Sequence, residues 1–130
     1  MDNYTKVYLE NAIPTISSMI RRSENVQIKL KEGSPQASLT RNRLKALYIS
    51  LSLITSELKG ELNIDNYTKE DLEKALPPIL STIKKCEKAK EKLKEGTPQL
   101  TLTKKMINSL YISSALITKT FVSFHTPSDK

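Results

Sequence analysis

Leu30-Lys-Glu-Gly-Ser-Pro-Gln-Ala-Ser-Leu-Thr40 returns further along the chain as Leu93-Lys-Glu-Gly-Thr-Pro-Gln-Leu-Thr-Leu-Thr103. The repetition extends outward on both sides. Laid on Asp65–Val122 at a constant offset of 63, Asp2–Lys59 gives 29 identical pairs in 58 without a gap. The chain is a tandem duplication, and the comparison of its halves shows which positions both copies kept.

From the first copy's start, Leu9, Ile13, Ile16, Ile20, Ser23, Gln27 and Leu30 are spaced alternately four and three apart, matched by Leu72, Leu76, Ile79, Ile83, Cys86, Lys90 and Leu93. That spacing places them on one face of a long amphipathic helix. Thr68 is the expected N-cap of the second copy, with Asp71 completing a capping box and Tyr67 and Leu72 forming a hydrophobic staple. The first copy keeps Tyr4, Thr5 and Leu9 but has Tyr8 in place of the acid. Pro14 and Pro77 fall inside the helix and are expected to bend it.

Gly33 and Gly96 fit the left-handed residue that ends a helix, with Pro35 and Pro98 preventing its continuation. On this reading Leu39-Thr40 and Leu102-Thr103 are staple and cap of a second helix carrying Leu44, Leu47, Leu51, Ile54 and Leu58, matched by Ile107, Leu110, Ser114, Ile117 and Phe121. Ile49, Leu53, Ile112 and Leu116 widen that stripe, so the helix is buried on more than one side. One hairpin cannot cover so wide a face. The expectation is an all-α fold, a tandem duplication of a helical hairpin packed as a four-helix bundle, with the second helices inside. The small residues Ser50, Ser52, Ser113, Ser114 and Ala115 either let helices approach closely or leave a groove. The domain is expected to span residues 1–124, made of repeats 2–59 and 65–122, with Gly60–Asp65 as a short antiparallel connector and 125–130 as a disordered tail.

At 130 residues the chain buries roughly two thirds of its unfolded surface without metals or disulfides. It has one cysteine, Cys86, and neither a signal-like start nor an uncharged run near the roughly 20 residues that span a bilayer. A cytoplasmic protein with no membrane partner is expected. The net charge is +7: residues 1–63 carry nine basic and six acidic side chains, residues 64–130 twelve and eight. Both copies are basic, which favours anionic partners of any size. Nucleic acid is disfavoured, because the lysines alternate with acids, as in Lys88-Ala-Lys-Glu-Lys-Leu-Lys-Glu95.

No catalytic constellation is visible, and the chain reads as a non-enzyme with no cofactor and no metal. His125 lies in the tail, Cys86 has Ser23 as its counterpart in the first copy, and the glycine segments lack a P-loop ending. What remains is the polar agreement between the copies. Lys6 and Lys69, Lys29 and Lys92, Gln36 and Gln99, Tyr48 and Tyr111, and Thr55 and Thr118 are shared. Basic character is kept at Arg21-Arg22 against Lys84-Lys85 and at Arg41 against Lys104. A cation just after a cap is locally unfavourable unless it completes an anion site with the cap amides. Tyr48 and Tyr111 are either core residues or stacking platforms for a base.

A small, basic helical-hairpin chain with two equivalent Gly-Ser/Thr-Pro-Gln loops, each followed by an Arg/Lys-containing helix, resembles the phage anti-CBASS and anti-Thoeris sponges over both repeats. The resemblance implies a non-catalytic sink for a cyclic or ADP-ribose-type nucleotide, usually in a homo-oligomer. The expected ligand sites are then Gln36, Thr40, Arg41 and Tyr48 in one copy and Gln99, Thr103, Lys104 and Tyr111 in the other, supported by Arg21, Arg22, Lys84 and Lys85. The chain is also similar to the bacteriocin immunity proteins, which are compact basic four-helix bundles. That resemblance implies an inhibitor whose outer helix ends, near Lys29 and Lys92, meet an acidic protein partner.

Overall fold

The computed structural model describes residues 5–60 and 67–125. Four helices fill these stretches: α1 (Lys6–Lys29), α2 (Pro35–Lys59), α3 (Lys69–Glu91) and α4 (Pro98–His125). Thr5 caps α1, accepting the Tyr8 amide at 3.4 Å. Thr68 caps α3 with the full box: its hydroxyl accepts the Asp71 amide, and the Asp71 carboxylate accepts the Thr68 amide, both at 3.0 Å. That backbone bond, with help from Lys45 at 3.4 Å, holds the Asp71 carboxyl below its ordinary pKa.

The second helix of each repeat begins earlier than expected. Ser34 caps α2 by accepting the Ala37 amide at 3.1 Å, and Pro35 is the first helical residue. Thr97 does the same for α4 through the Leu100 amide at 3.2 Å. Thr40 and Thr103 are therefore not caps but sixth residues of their helices. The physical reason is the two-sidedness of proline: it cannot continue the helix before it, yet its fixed φ and missing amide suit a first helical position. The repeated Ser/Thr-Pro-Gln signature is thus a helix-start device.

Nor do Gly33 and Gly96 sit at the helix ends. α1 stops at Lys29 and α3 at Glu91. The glycines take φ +87 and +82 in tight turns closed by Ser34 donating to the Lys31 carbonyl and Thr97 to that of Lys94. The left-handed cap that does exist is Gly60, which ends α2 at φ 73.

The packing follows the width of the apolar stripes. α2 and α4 touch each other and each touches both α1 and α3, so the second helices are the inner pair. Ile16 and Ile79, Leu47 and Leu110, and Ile54 and Ile117 are fully buried, each pair being one position in the two copies. Ser50 and Ser113 are buried as well, their hydroxyls satisfied by the carbonyls of Ala46 and Ser109. The outer stripes run through Leu9, Ala12, Ile16 and Ile20 and through Leu72, Ala75, Ile79 and Ile83. They fade where expected, at half-buried Gln27 and exposed Lys90. Pro14 lies inside α1, and Pro77 with Pro78 inside α3. Lacking an amide, each leaves the carbonyl four residues earlier, at Glu10, Glu73 and Lys74, without its helical donor.

Among the described residues no helix is long and apolar enough to cross a membrane. Tyr4, most of the connector (61–66) and the tail beyond His125 lie outside the described residues, while α4 itself extends through His125.

Candidate anion site at the seam between the repeats

The residues expected to form two equivalent sites do not gather into them. Thr40 and Thr103 are buried, 8% and 7% exposed, whereas Gln36, Arg41, Gln99 and Lys104 are exposed. Arg41 and Lys104 are seventh helical residues, beyond the first turn where amides stand unpaired, so the cap-amide basis for an anion beside them is lost. Tyr48 lies eight residues past Thr40, about 12 Å along α2.

Tyr48 and Tyr111 are not core residues. Each ring is 46% exposed and its phenol donates to a glutamate of the outer helix in the same hairpin, Tyr48 to Glu24 and Tyr111 to Glu87, the latter at 2.8 Å. The glutamate bond raises both phenol pKa values, because it favours the protonated form. All four residues are shared between the copies, so the agreement reports a clasp within each hairpin. Arg21 and Lys84 are exposed on the outer helices, and Lys85 borders a groove between α2 and α3.

Two of the expected residues do meet, in a place that periodicity does not reveal. Arg22 and Thr40 line a cavity of about 260 Å³ together with Arg43, Thr82, Cys86 and Met106. Three pairs related by the 63-residue offset line it from both copies: Met19 with Thr82, Ser23 with Cys86, and Arg43 with Met106. The cavity therefore lies where the two repeats face each other, and all four helices contribute.

The charges that line it are of one sign. Two guanidinium groups line it and no carboxylate does. Among the described residues neither Arg22 nor Arg43 forms an ion pair. The Arg22 guanidinium donates to the Met106 thioether at 3.3 Å, a weak acceptor for a strong donor. Thr40 is also unsatisfied. Its counterpart Thr103 donates to the Gln99 carbonyl at 2.8 Å, whereas the buried Thr40 hydroxyl makes no hydrogen bond among the described residues. Burial pushes the Cys86 thiol up, Arg22 and Arg43 pull it partly back, and the nearby Glu87 carboxylate adds to the rise. Cys86 is thus a neutral, poorly nucleophilic wall residue. Unpaired guanidinium forks and an unpartnered hydroxyl around one cavity suit a tetrahedral oxyanion.

Arg43 is the functional candidate that comparison of the repeats misses. Its counterpart is Met106, so a search for polar residues shared by both copies passes over it. The available signal is the opposite one, a cation in one repeat where the other has a thioether. Among the described residues no group of three or more histidine, cysteine, aspartate or glutamate side chains is placed to hold a metal ion. No family model, curated protein or solved structure matches this chain.

Proposed function

We propose that the chain is a non-catalytic binding protein that sequesters a small anionic, nucleotide-derived ligand. The observation that supports this reading is the cavity at the seam, where Arg22 and Arg43 stand without carboxylates beside the unpartnered buried hydroxyl of Thr40. A phosphate there accepts bidentate bonds from guanidinium and one from the threonine. The cations come from the first repeat, while the second contributes Thr82, Cys86 and Met106. The reading is therefore of one site per chain, not two equivalent ones.

The test is incubation of the purified protein with a panel of linear, cyclic and ADP-ribose-type nucleotides, followed by washing, denaturation and mass spectrometry of what is released. One intact nucleotide in stoichiometric amount, lost from the R22Q/R43Q double variant, is expected. Recovery of nothing at either low or physiological salt sinks the reading, and recovery of a cleaved product replaces sequestration with turnover.

The second reading, a protein partner, draws on the exposed end of α1, where Val26 and Ile28 are 48% and 81% exposed beside Lys29. It predicts a stable complex with an acidic protein that is insensitive to the R22Q/R43Q double variant.

A further inference from the structure

A second depression adjoins the seam cavity. It is a groove of about 650 Å³ between α2 and α3, within the range of roughly 300–1,000 Å³ that small organic ligands occupy, whereas the cavity's 260 Å³ falls below it. Among the described residues Arg43 is the one side chain that lines both. On α3 the two are bordered by consecutive residues: Ser81 and Lys85 face the groove, Thr82 and Cys86 the cavity. A ligand that puts a charged head into the cavity thus has a larger space for its body directly across Arg43.

The groove changes character along its length. Its basic end, Arg43 and Lys85, adjoins the cavity. Its middle is apolar, formed by Ala46 and Ile49 from α2 and by Pro77 and Pro78 from α3. From Lys85 to Pro78 is about 10 Å along the helix. At the far end lie Asp71, Glu73, Lys74 and Lys45, whose ammonium pairs with Asp71 at 3.4 Å, so the side-chain charges there balance. Of these, Asp71 is already held by Thr68 and Lys45. The carbonyls of Glu73 and Lys74 have lost their helical donors to the two prolines, so this end offers acceptors. The equivalent positions of the α4/α1 pair do not repeat this lining. The counterparts there are Met106 for Arg43, Thr15 for Pro78 and Asn108 for Lys45.

We infer that the ligand is bipartite, a phosphate monoester whose phosphoryl group enters the seam cavity between Arg22 and Arg43, while a flat, mostly apolar ring bearing an amino donor lies in the α2/α3 groove. The inference rests on the anion-binding reading above and adds the shape and polarity of the ligand's body. Its amino group meets the freed carbonyls, its ring covers the prolines and Ile49, and Lys85 faces the phosphoryl end.

Calorimetry with inorganic phosphate, adenosine 5′-monophosphate and adenosine tests it, on the wild type and on three variants. R22Q removes a cavity cation, while S81W and N42W each fill the groove from one wall at an exposed position. The nucleotide is expected to bind one per chain, at least about tenfold more tightly than phosphate. S81W and N42W erase that advantage and leave phosphate binding within about twofold, whereas R22Q weakens both ligands about tenfold. If the nucleotide binds no better than phosphate, or its advantage survives both tryptophan variants, the bipartite ligand is wrong and the anion site stands. If the wild type binds neither phosphate nor nucleotide, the anion reading itself fails.

Discussion

Replacing Thr40 and Thr103 by valine, one at a time, produces opposite outcomes at equivalent positions. The residues occupy one place in the two repeats, are 8% and 7% exposed, and sit at the sixth position of their helices. Valine keeps the shape and has nearly the same helix propensity as threonine, so backbone effects cancel. In T103V the bond to the Gln99 carbonyl at 2.8 Å is lost. That carbonyl keeps its backbone donor, so the cost is about 1 kcal/mol. In T40V no bond is lost, and the desolvation penalty of an unsatisfied buried hydroxyl is removed. The slight exposure of Thr40 lets solvent offset part of that penalty, so the change runs from neutral to about 1 kcal/mol stabilising. The two variants should differ by about 1–2 kcal/mol, read as a difference between urea midpoints with unchanged m-values. T40V should also weaken phosphate binding, as expected of a hydroxyl kept for a ligand at the expense of stability. Equal destabilisation by both variants would show that Thr40 is hydrogen-bonded as Thr103 is, and would remove it from the site.

Other perturbations address the frame. S34A and T97A should each cost about 1 kcal/mol in thermal unfolding, because each removes the hydroxyl that caps an inner helix. L47A, at a fully buried position of α2, should cost about 2–5 kcal/mol and unfold the protein at a markedly lower urea midpoint. Asp71 has a lowered pKa, so its stabilisation is fully present above the unfolded carboxyl value and is lost as pH falls through the lower folded value. The stability difference between wild type and D71N, followed by urea unfolding, should therefore shrink as pH drops below about 4. The Tyr48 and Tyr111 phenols have raised values, so their bonds to glutamate are intact below the ordinary tyrosine range and break as pH rises through the folded values. Spectrophotometric titration at alkaline pH should place both above the ordinary tyrosine value of about 10, and Y48F should leave Tyr111 unchanged.

The helical hairpins, their duplication and the burial of the second helices were legible from spacing alone, because a helix stripe repeats every three or four residues and a wide stripe must be covered. The capping box at Thr68 and Asp71 was legible for the same local reason. The start of α2 was not, because Pro35 serves equally well as a stop and as a first residue. Only the chain around it decides, through the Ser34 hydroxyl reaching the Ala37 amide. That one ambiguity moved Thr40 from an exposed cap to a buried wall, and Arg41 from a first turn to an ordinary exposed position. The shared tyrosines have a structural role that spacing did not show. Agreement between two copies records what both need in order to fold, and the Tyr48–Glu24 and Tyr111–Glu87 clasps are of that kind.

By itself the sequence determined an all-helical duplicated hairpin, its core positions and its basic surface, since periodicity and composition act locally along the chain. The tertiary structure alone decided that Arg22, Arg43, Thr40 and Thr82 share one cavity, because these residues lie on three different helices and meet only when the hairpins dock. Thr40 has the same residue in the other copy, but Arg43 stands against Met106, Ser23 against Cys86 and Met19 against Thr82, so agreement between the repeats, which reveals the fold, does not by itself reveal the site.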